Sequence, residues 1–462
     1  MNRKWTLGLG FLLTLALTSL FLGQQELEAD EGPSFEVWAI DQSGTAGKLY
    51  IYNGKDMDDG AATAVPEVVD LGGAVNDLCV KQTGSTPVRA HMILFNASNT
   101  HAIISYVASG HVVFMDAANR TPIKCLLMSV GAKGARQAHA AFPAPDKSYV
   151  VVANQNGKLL ERIDTDADND GKPYEDVNDI AFDSAATLNL TTCTTPNKAP
   201  CEDPTLRPNN VVVCPVIDTS SRLVFVTLGG GMFVVDGKTT PMSIIAEYDK
   251  ATVHPHGCGG IEKDGKMYIN SGGFTGHPRE ADLYVFKLSD YPAAGFNSPN
   301  TPVPTVVFSK DGGDHDSHGM QLNKAEHGRY LWTVDRFANT IEVVDTTNDK
   351  LVNTFSLVGK PSSDPAPDLM DIAPNGKYAF ITLRGPCPLT ANDPTAKNAV
   401  GATPGVGVVA IEQGGLTGKL VAVAPITNPA PAGFDCPTRT DDAPGSITDQ
   451  ADPHGLRVRL KK

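Results

Sequence analysis

From Phe35 onward the chain alternates short apolar runs with turn residues, and the runs recur at a steady interval. The plainest unit is Asp316 to Leu357, DSHGMQLNKAEHGRYLWTVDRFANTIEVVDTTNDKLVNTFSL. A strand is predicted from near His318, and a turn at His327–Gly328 leads to a second strand, Tyr330 to Val334. Asn339 marks the turn into Thr340 to Asp345, and Asn348–Asp349 the turn into Lys350 to Leu357. Four short strands joined by tight turns in about 40–45 residues make one blade of a β-propeller. The same plan starts near Val88, Gln137, Asn210, His254 and Asp368. A first blade is split: Phe35 to Asp41 and Lys48 to Tyr52 supply middle strands, and the C-terminal HGLRVRLKK supplies the innermost one. The pattern predicts an all-β, seven-bladed β-propeller whose terminal strands pair in one blade, which removes free sheet edges.

Composition agrees with many short strands. The chain has 462 residues with 44 Gly and 33 Pro, and charged residues make up only 19%. Loops rich in Pro, Asn, Asp and Thr interrupt the blades over 164–190, 191–208, 271–280, 291–304 and 386–405; such insertions belong on one rim. A formal net charge of −14, with no long basic run, argues against nucleic acid and anionic membrane surfaces as partners and favours cations.

The N-terminus reads as an export signal over residues 1–29, followed by a single propeller domain over 30–462. Arg3 and Lys4 precede an apolar run from Leu7 to Leu22. The alternative is an uncleaved anchor, since the run is nearly long enough to span a membrane. Both readings place the folded part in the periplasm or outside the cell. The eight cysteines suit an oxidising compartment. Cys193 with Cys201, and Cys387 with Cys436, are the natural pairs by position. No Cys-x-x-Cys-His occurs, so covalent c-type haem is excluded by that route.

The stretch NTIEVVDTTNDKLVNTFSLVGKP followed by DIAPNGKYAFIT resembles the repeat of YVTN/YncE-type propellers. The likeness is good over blades six and seven, partial in blades two and three, and weak elsewhere. It implies a WD40-like propeller fold more than a function, because such propellers include binding proteins, lactonases and metalloenzymes.

Aligning the innermost strands puts His91, His139, Asn210, His256, His318, Asp368 and His454 at one level. Only 11 of 462 residues are histidine, so five of seven positions is not compositional. Innermost strands line a propeller's channel, so these side chains would form a ring around its axis. Imidazoles suit copper, zinc, iron or nickel, and copper is the first expectation, with iron or zinc next. The competing reading is that the histidines hydrogen-bond backbone and fix the channel rim. Asp368 is a candidate ligand or catalytic proton acceptor. His254 and His315 are candidates for extra ligands or for supporting contacts. Cys258 fits a disulfide or buried thiol better than a ligand, and Met320 and Met370 fit channel packing. The ring resembles the histidine copper sites of the nitrous oxide reductase propeller and of the selenium-binding protein/methanethiol oxidase group. The cupredoxin ligands of nitrous oxide reductase do not follow the propeller here. Carotenoid oxygenases, with four histidines on iron, are a looser likeness.

Asp166, Asp168 and Asp170 before Gly171 fit a calcium loop, Asp-x-Asp-x-Asp-Gly, with Val177 where an EF-hand carries Glu. The plainer reading is an acidic, solvated loop. There is no Gly-x-Ser-x-Gly, His-Glu-x-x-His or P-loop. Three functions follow: an exported transition-metal protein, a copper- or iron-dependent oxidoreductase in its catalytic form; a non-catalytic propeller binding a protein or small ligand; and a lactonase-like metal hydrolase. The chain is expected to be a monomer.

Overall fold

The computed structural model describes residues 33–461 except 59, 196–200, 202–209, 273–280, 292–300, 311–314, 390–398, 435 and 437–447. The segment expected to be an export signal and parts of the loop insertions lie outside the described residues. The remainder forms seven antiparallel sheets of four strands, each in simple up-and-down order. Blade one contains Phe35–Asp41, Lys48–Asn53 and Glu67–Asp70, with Pro453–Leu460 as its innermost strand. Phe35 pairs with Leu460 and Ala39 with Leu456, so the two ends of the chain close the ring. The innermost strands of blades two to seven are Ala90–Phe95, Ala138–Pro143, Val212–Ile217, Gly260–Lys263, Ser317–Leu322 and Pro367–Ile372. The predicted seven-bladed propeller is the observed fold. In blade six the four strands run Ser317–Leu322, Tyr330–Asp335, Thr340–Asp345 and Lys350–Ser356, within a residue or two of the expectation.

Each blade is apolar on both faces, and neighbouring blades interdigitate. Between blades six and seven, Trp332, Val334 and Val343 pack with Ile381, Val409 and Leu420, all buried. Blade one adds a polar clasp at its closure. Trp38 Nε1 donates to Glu36, which also accepts from Arg120 at 2.6 Å and Arg459 at 2.9 Å. Burial works to raise the Glu36 pKa, but these donors outweigh it and bring it down to about 2.

The sequence pattern missed a helix, Ala74–Thr83, between blades one and two. It buries only Val75 and Cys79, too narrow a stripe for periodicity to reveal, and ends on Gly84 in the left-handed region. A Cys79–Cys125 disulfide ties it to the outer strand of blade two. Cys193–Cys201 and Cys387–Cys436 pair as expected, and Cys214–Cys258 completes the set. All eight cysteines are thus paired, which is compatible with an oxidising location. Among the described residues no helix is long and apolar enough to cross a membrane.

Toward the axis the inner strands approach closely, and this selects small residues. A Cβ on Gly319 would lie 2.3 Å from the Asp368 carbonyl oxygen, and one on Gly259 would lie 2.3 Å from that of His318. Only glycine fits such backbone-to-backbone contacts.

Candidate metal centre

A bulge in the inner strand sets each axial side chain. In blade two Ala90 pairs with Tyr106 and Met92 with Ser105, leaving His91 as the extra residue. His139 is the extra residue in blade three, and His318–Gly319, Asp368–Leu369 and His454–Gly455 each set two residues against one on the neighbouring strand. A bulged residue is turned out of the ladder, here toward the channel. The Leu369 amide donates to Thr382, and the Cys214 amide donates to Thr227 in the same way, so Val213 is the blade-four counterpart of Asp368. The Gly259 amide donates to Asn270, which makes Cys258 the blade-five counterpart.

The ring is therefore His91, His139, Val213, Cys258, His318, Asp368 and His454. Asn210 sits two residues before its strand, with its amide nitrogen on the Leu190 carbonyl. His256 also lies outside the ring, before its inner strand, at φ 65° and half-buried. The segment HPHGCGG caused the offset: His256–Gly257 mimics the His318–Gly319 pair, but Cys258–Gly259 occupies its place.

The four ring histidines form one continuous line. His91 stacks on His454 with ring centroids 3.8 Å apart and meets His139 at 4.7 Å. His318 meets His454 at 5.5 Å. Three of them spend the Nδ1 proton on a fixed acceptor: His91 on Gln42 at 2.9 Å, His139 on the Val213 carbonyl at 2.9 Å, and His454 on the His91 carbonyl at 3.1 Å. That tautomer leaves Nε2 as a bare lone pair. His91 Nε2, both His318 ring nitrogens and Asp368 Oδ1 are buried without a hydrogen bond. His318 Nε2 lies 3.5 Å and His454 Nε2 3.6 Å from the Asp368 carboxylate. Ligand atoms of these three residues fall within 4.8 Å of one another. Donors about 2.0 Å from a tetrahedral ion stand about 3.3 Å apart, so this spacing fits a metal with little movement.

Electrostatics favour uncharged imidazoles. Burial lowers the pKa of His139 to about 4 and of His454 to about 3, and holds His91 and His318 well below the usual value. Burial alone would raise the Asp368 pKa, but His454, Arg336, His318 and Arg384 outweigh it and keep the carboxyl ionised. The arginines were not foreseen. Arg384 spans Asp368 at 2.8 Å and Asp452 at 2.5 Å, while Arg336 joins Asp316 and lies 3.2 Å from Asp368. They occupy the same repeat position, six residues after Tyr330 and Tyr378, and that equivalence was the available signal. Three carboxylates against two guanidiniums leave one negative charge beside the neutral histidines.

His254 and His315 rest on carboxylates: each Nδ1 donates at 2.6 Å, to Asp282 and Asp335 respectively. Met320 and Met370 line a cavity of about 30 Å³ on the axis, together with Met92 and Cys258. In the acidic loop, Asp166 and Asp168 come together with Asp179, whereas Asp170 pairs with Lys172 at 2.9 Å.

No protein-family model matches the chain, and no curated protein matches it. Solved structures do. A 6-phosphogluconolactonase candidate from Bacteroides fragilis aligns at TM-score 0.53 and 12% identity, over 92% of this chain and 98% of its own. A protein from Lactobacillus plantarum aligns at TM-score 0.54 and 10% identity, over 85% and 97%. Dihydro-heme d1 dehydrogenase NirN in complex with DHE gives 0.46 at 12% identity; the chain spans 64% of its length, and so loose a likeness carries no weight. The first two share the fold alone. Fold and site together define a seven-bladed β-propeller with a buried histidine–carboxylate cluster on its axis.

Proposed function

We propose that this chain is an exported propeller metalloprotein that holds a transition-metal ion through His318, His454 and Asp368, with His91 and His139 beside them. The observation that carries this reading is the set of buried, unsatisfied ring nitrogens and carboxylate oxygen. Buried polar atoms ordinarily find partners, and a metal would satisfy one His318 ring nitrogen and Asp368 Oδ1 together. Nδ1 donation to fixed acceptors is the usual support for an imidazole that ligates through Nε2. The donor set suits copper first, then zinc or iron. When bound with an open position, such an ion supplies Lewis-acid or redox chemistry, and copper- or iron-dependent oxidation of a small molecule is the activity we assign. The YVTN/YncE-like repeats and the likeness to propeller copper enzymes are consistent with this assignment.

Metal analysis of purified protein, followed by copper and zinc titration, tests it. One tightly held equivalent is expected. Replacing both His318 and His454 with alanine should weaken binding at least a hundredfold without unfolding the propeller. Wild-type protein that takes up no metal on titration would overturn the assignment.

We also assign calcium to the acidic loop, with Asp166, Asp168 and Asp179 as ligands, Asp170 being held instead by Lys172. Calcium at millimolar concentration should slow proteolysis within 164–180 severalfold, an effect lost in Asp168→Ala. Equal cleavage rates with calcium and with chelator would remove calcium from the description.

A further inference from the structure

Three of the four disulfides secure peripheral segments. Cys79–Cys125 fastens a helix to an outer strand, Cys193–Cys201 closes a loop of eight residues' separation, and Cys387–Cys436 joins two loops. Cys214–Cys258 is different. It lies on the axis, buried, joining the inner edges of blades four and five. Cys258 occupies a ring position and lines the axial cavity. Cys214 Sγ lies 4.0 Å from His139 Nδ1. Ligand-capable atoms of His139, Cys214 and Cys258 all fall within 4.8 Å of one another.

We propose that these three residues are a second, redox-gated metal site, closed as the disulfide and opened by a dithiol to take a soft cation, copper(I) or zinc. In the gating step one thiolate of the dithiol attacks a sulfur of the pair, forming a mixed disulfide and releasing the other cysteine as a thiolate. The second thiol of the reagent then displaces the remaining cysteine and leaves as a cyclic disulfide. Two electrons and two protons pass from the dithiol to Cys214 and Cys258. Metal binding displaces protons from the two thiols, and the His139 proton moves from Nδ1 to Nε2 as Nδ1 leaves the Val213 carbonyl, giving two thiolates beside one imidazole nitrogen, a donor set that selects zinc or copper(I) over hard cations.

His139 makes the two sites communicate. In the closed form its Nδ1–H is held by the Val213 carbonyl and its ring lies 4.7 Å from that of His91, within the axial cluster. In the open form two new sulfur donors stand beside the same ring. The sulfur pair therefore decides how many soft donors the axis offers, independently of His318, His454 and Asp368.

Cobalt(II) serves as the probe, because thiolate ligation produces a charge-transfer band that imidazole and carboxylate do not. The full chain is treated with dithiothreitol, freed of reagent without oxygen, and titrated with cobalt, while alkylation and peptide mapping report which cysteines have opened. Mapping should find Cys214 and Cys258 open in folded protein. The band should appear at one equivalent, be absent from the untreated protein, and disappear in the Cys214→Ser/Cys258→Ser variant. Cys214→Ala/Cys258→Ala provides the same control should the serine variant not fold. His139→Gln should weaken cobalt binding at least tenfold, whereas the His318→Ala/His454→Ala variant should keep the band. That last variant also separates this site from the axial one. The proposal is overturned if the pair stays closed while the protein is folded. It is also overturned if both thiols alkylate but no band appears, or if the band persists in the double cysteine variant.

Discussion

Asp368→Ala is expected to destabilise the metal-free propeller by about 3–5 kcal/mol, the cost of breaking a buried ion pair by removing one partner. Asp368 is fully buried, and two guanidiniums lean on it, Arg384 at 2.8 Å and Arg336 at 3.2 Å. Each arginine keeps its other carboxylate, Asp452 or Asp316, so the loss should not reach the cost of a wholly isolated charge. Asp368→Asn keeps the shape and can still accept hydrogen bonds, so it should recover part of the loss. Urea unfolding would show a lower midpoint with an unchanged slope. A loss below about 1 kcal/mol, the range of an exposed pair, would mean that the arginines do not depend on this carboxylate. The residue is thus expected to matter twice, as a metal ligand and as the neutraliser of two buried cations.

The second large effect is on acid stability. An unfolded histidine titrates near 6.5, whereas His139 in the fold titrates near 4. Between those values the unfolded chain holds a proton that the native chain refuses, so stability falls as pH falls. Above about 6.5 neither state holds the proton and the contribution is complete; below about 4 both hold it and the loss stops growing. The window corresponds to about 3 kcal/mol at ~1.4 kcal/mol per pH unit. His139→Gln should preserve a donor to the Val213 carbonyl and remove the titration. With chelator present, the drop in unfolding free energy from pH 7 to pH 4 should be smaller in the variant by about that amount. Asp41, Glu161 and Glu342, whose pKa values are raised mainly by burial, act in the opposite direction. They are common to both proteins, so the difference isolates His139. Equal pH profiles would contradict its buried, neutral state.

The architecture was legible because each blade repeats period-two strands and turn residues, and because HGLRVRLKK at the end matches the other inner strands. Four ring histidines and Asp368 were legible for the same reason. What the sequence did not disclose arises where one residue of register matters. The bulge at each ring position is invisible in a hydrophobic pattern, and in HPHGCGG two His-Gly-like offsets compete. Backbone packing decides between them, because the Gly259 position, not Gly257, faces the His318 carbonyl. Arg336 and Arg384 read as ordinary turn residues until the fold buries them. The helix Ala74–Thr83 escaped because a disulfide to Cys125, rather than a broad apolar face, holds it in place.

Closure by Pro453–Leu460 has a consequence for how the protein is made. His454 belongs to that strand, while its stacking partner His91 is synthesised more than three hundred and fifty residues earlier. A nascent chain therefore carries only scattered donors until its last strand arrives. Capture of an ion at this centre would report that this closing strand has docked, and a product truncated before Pro453 would be unable to retain it.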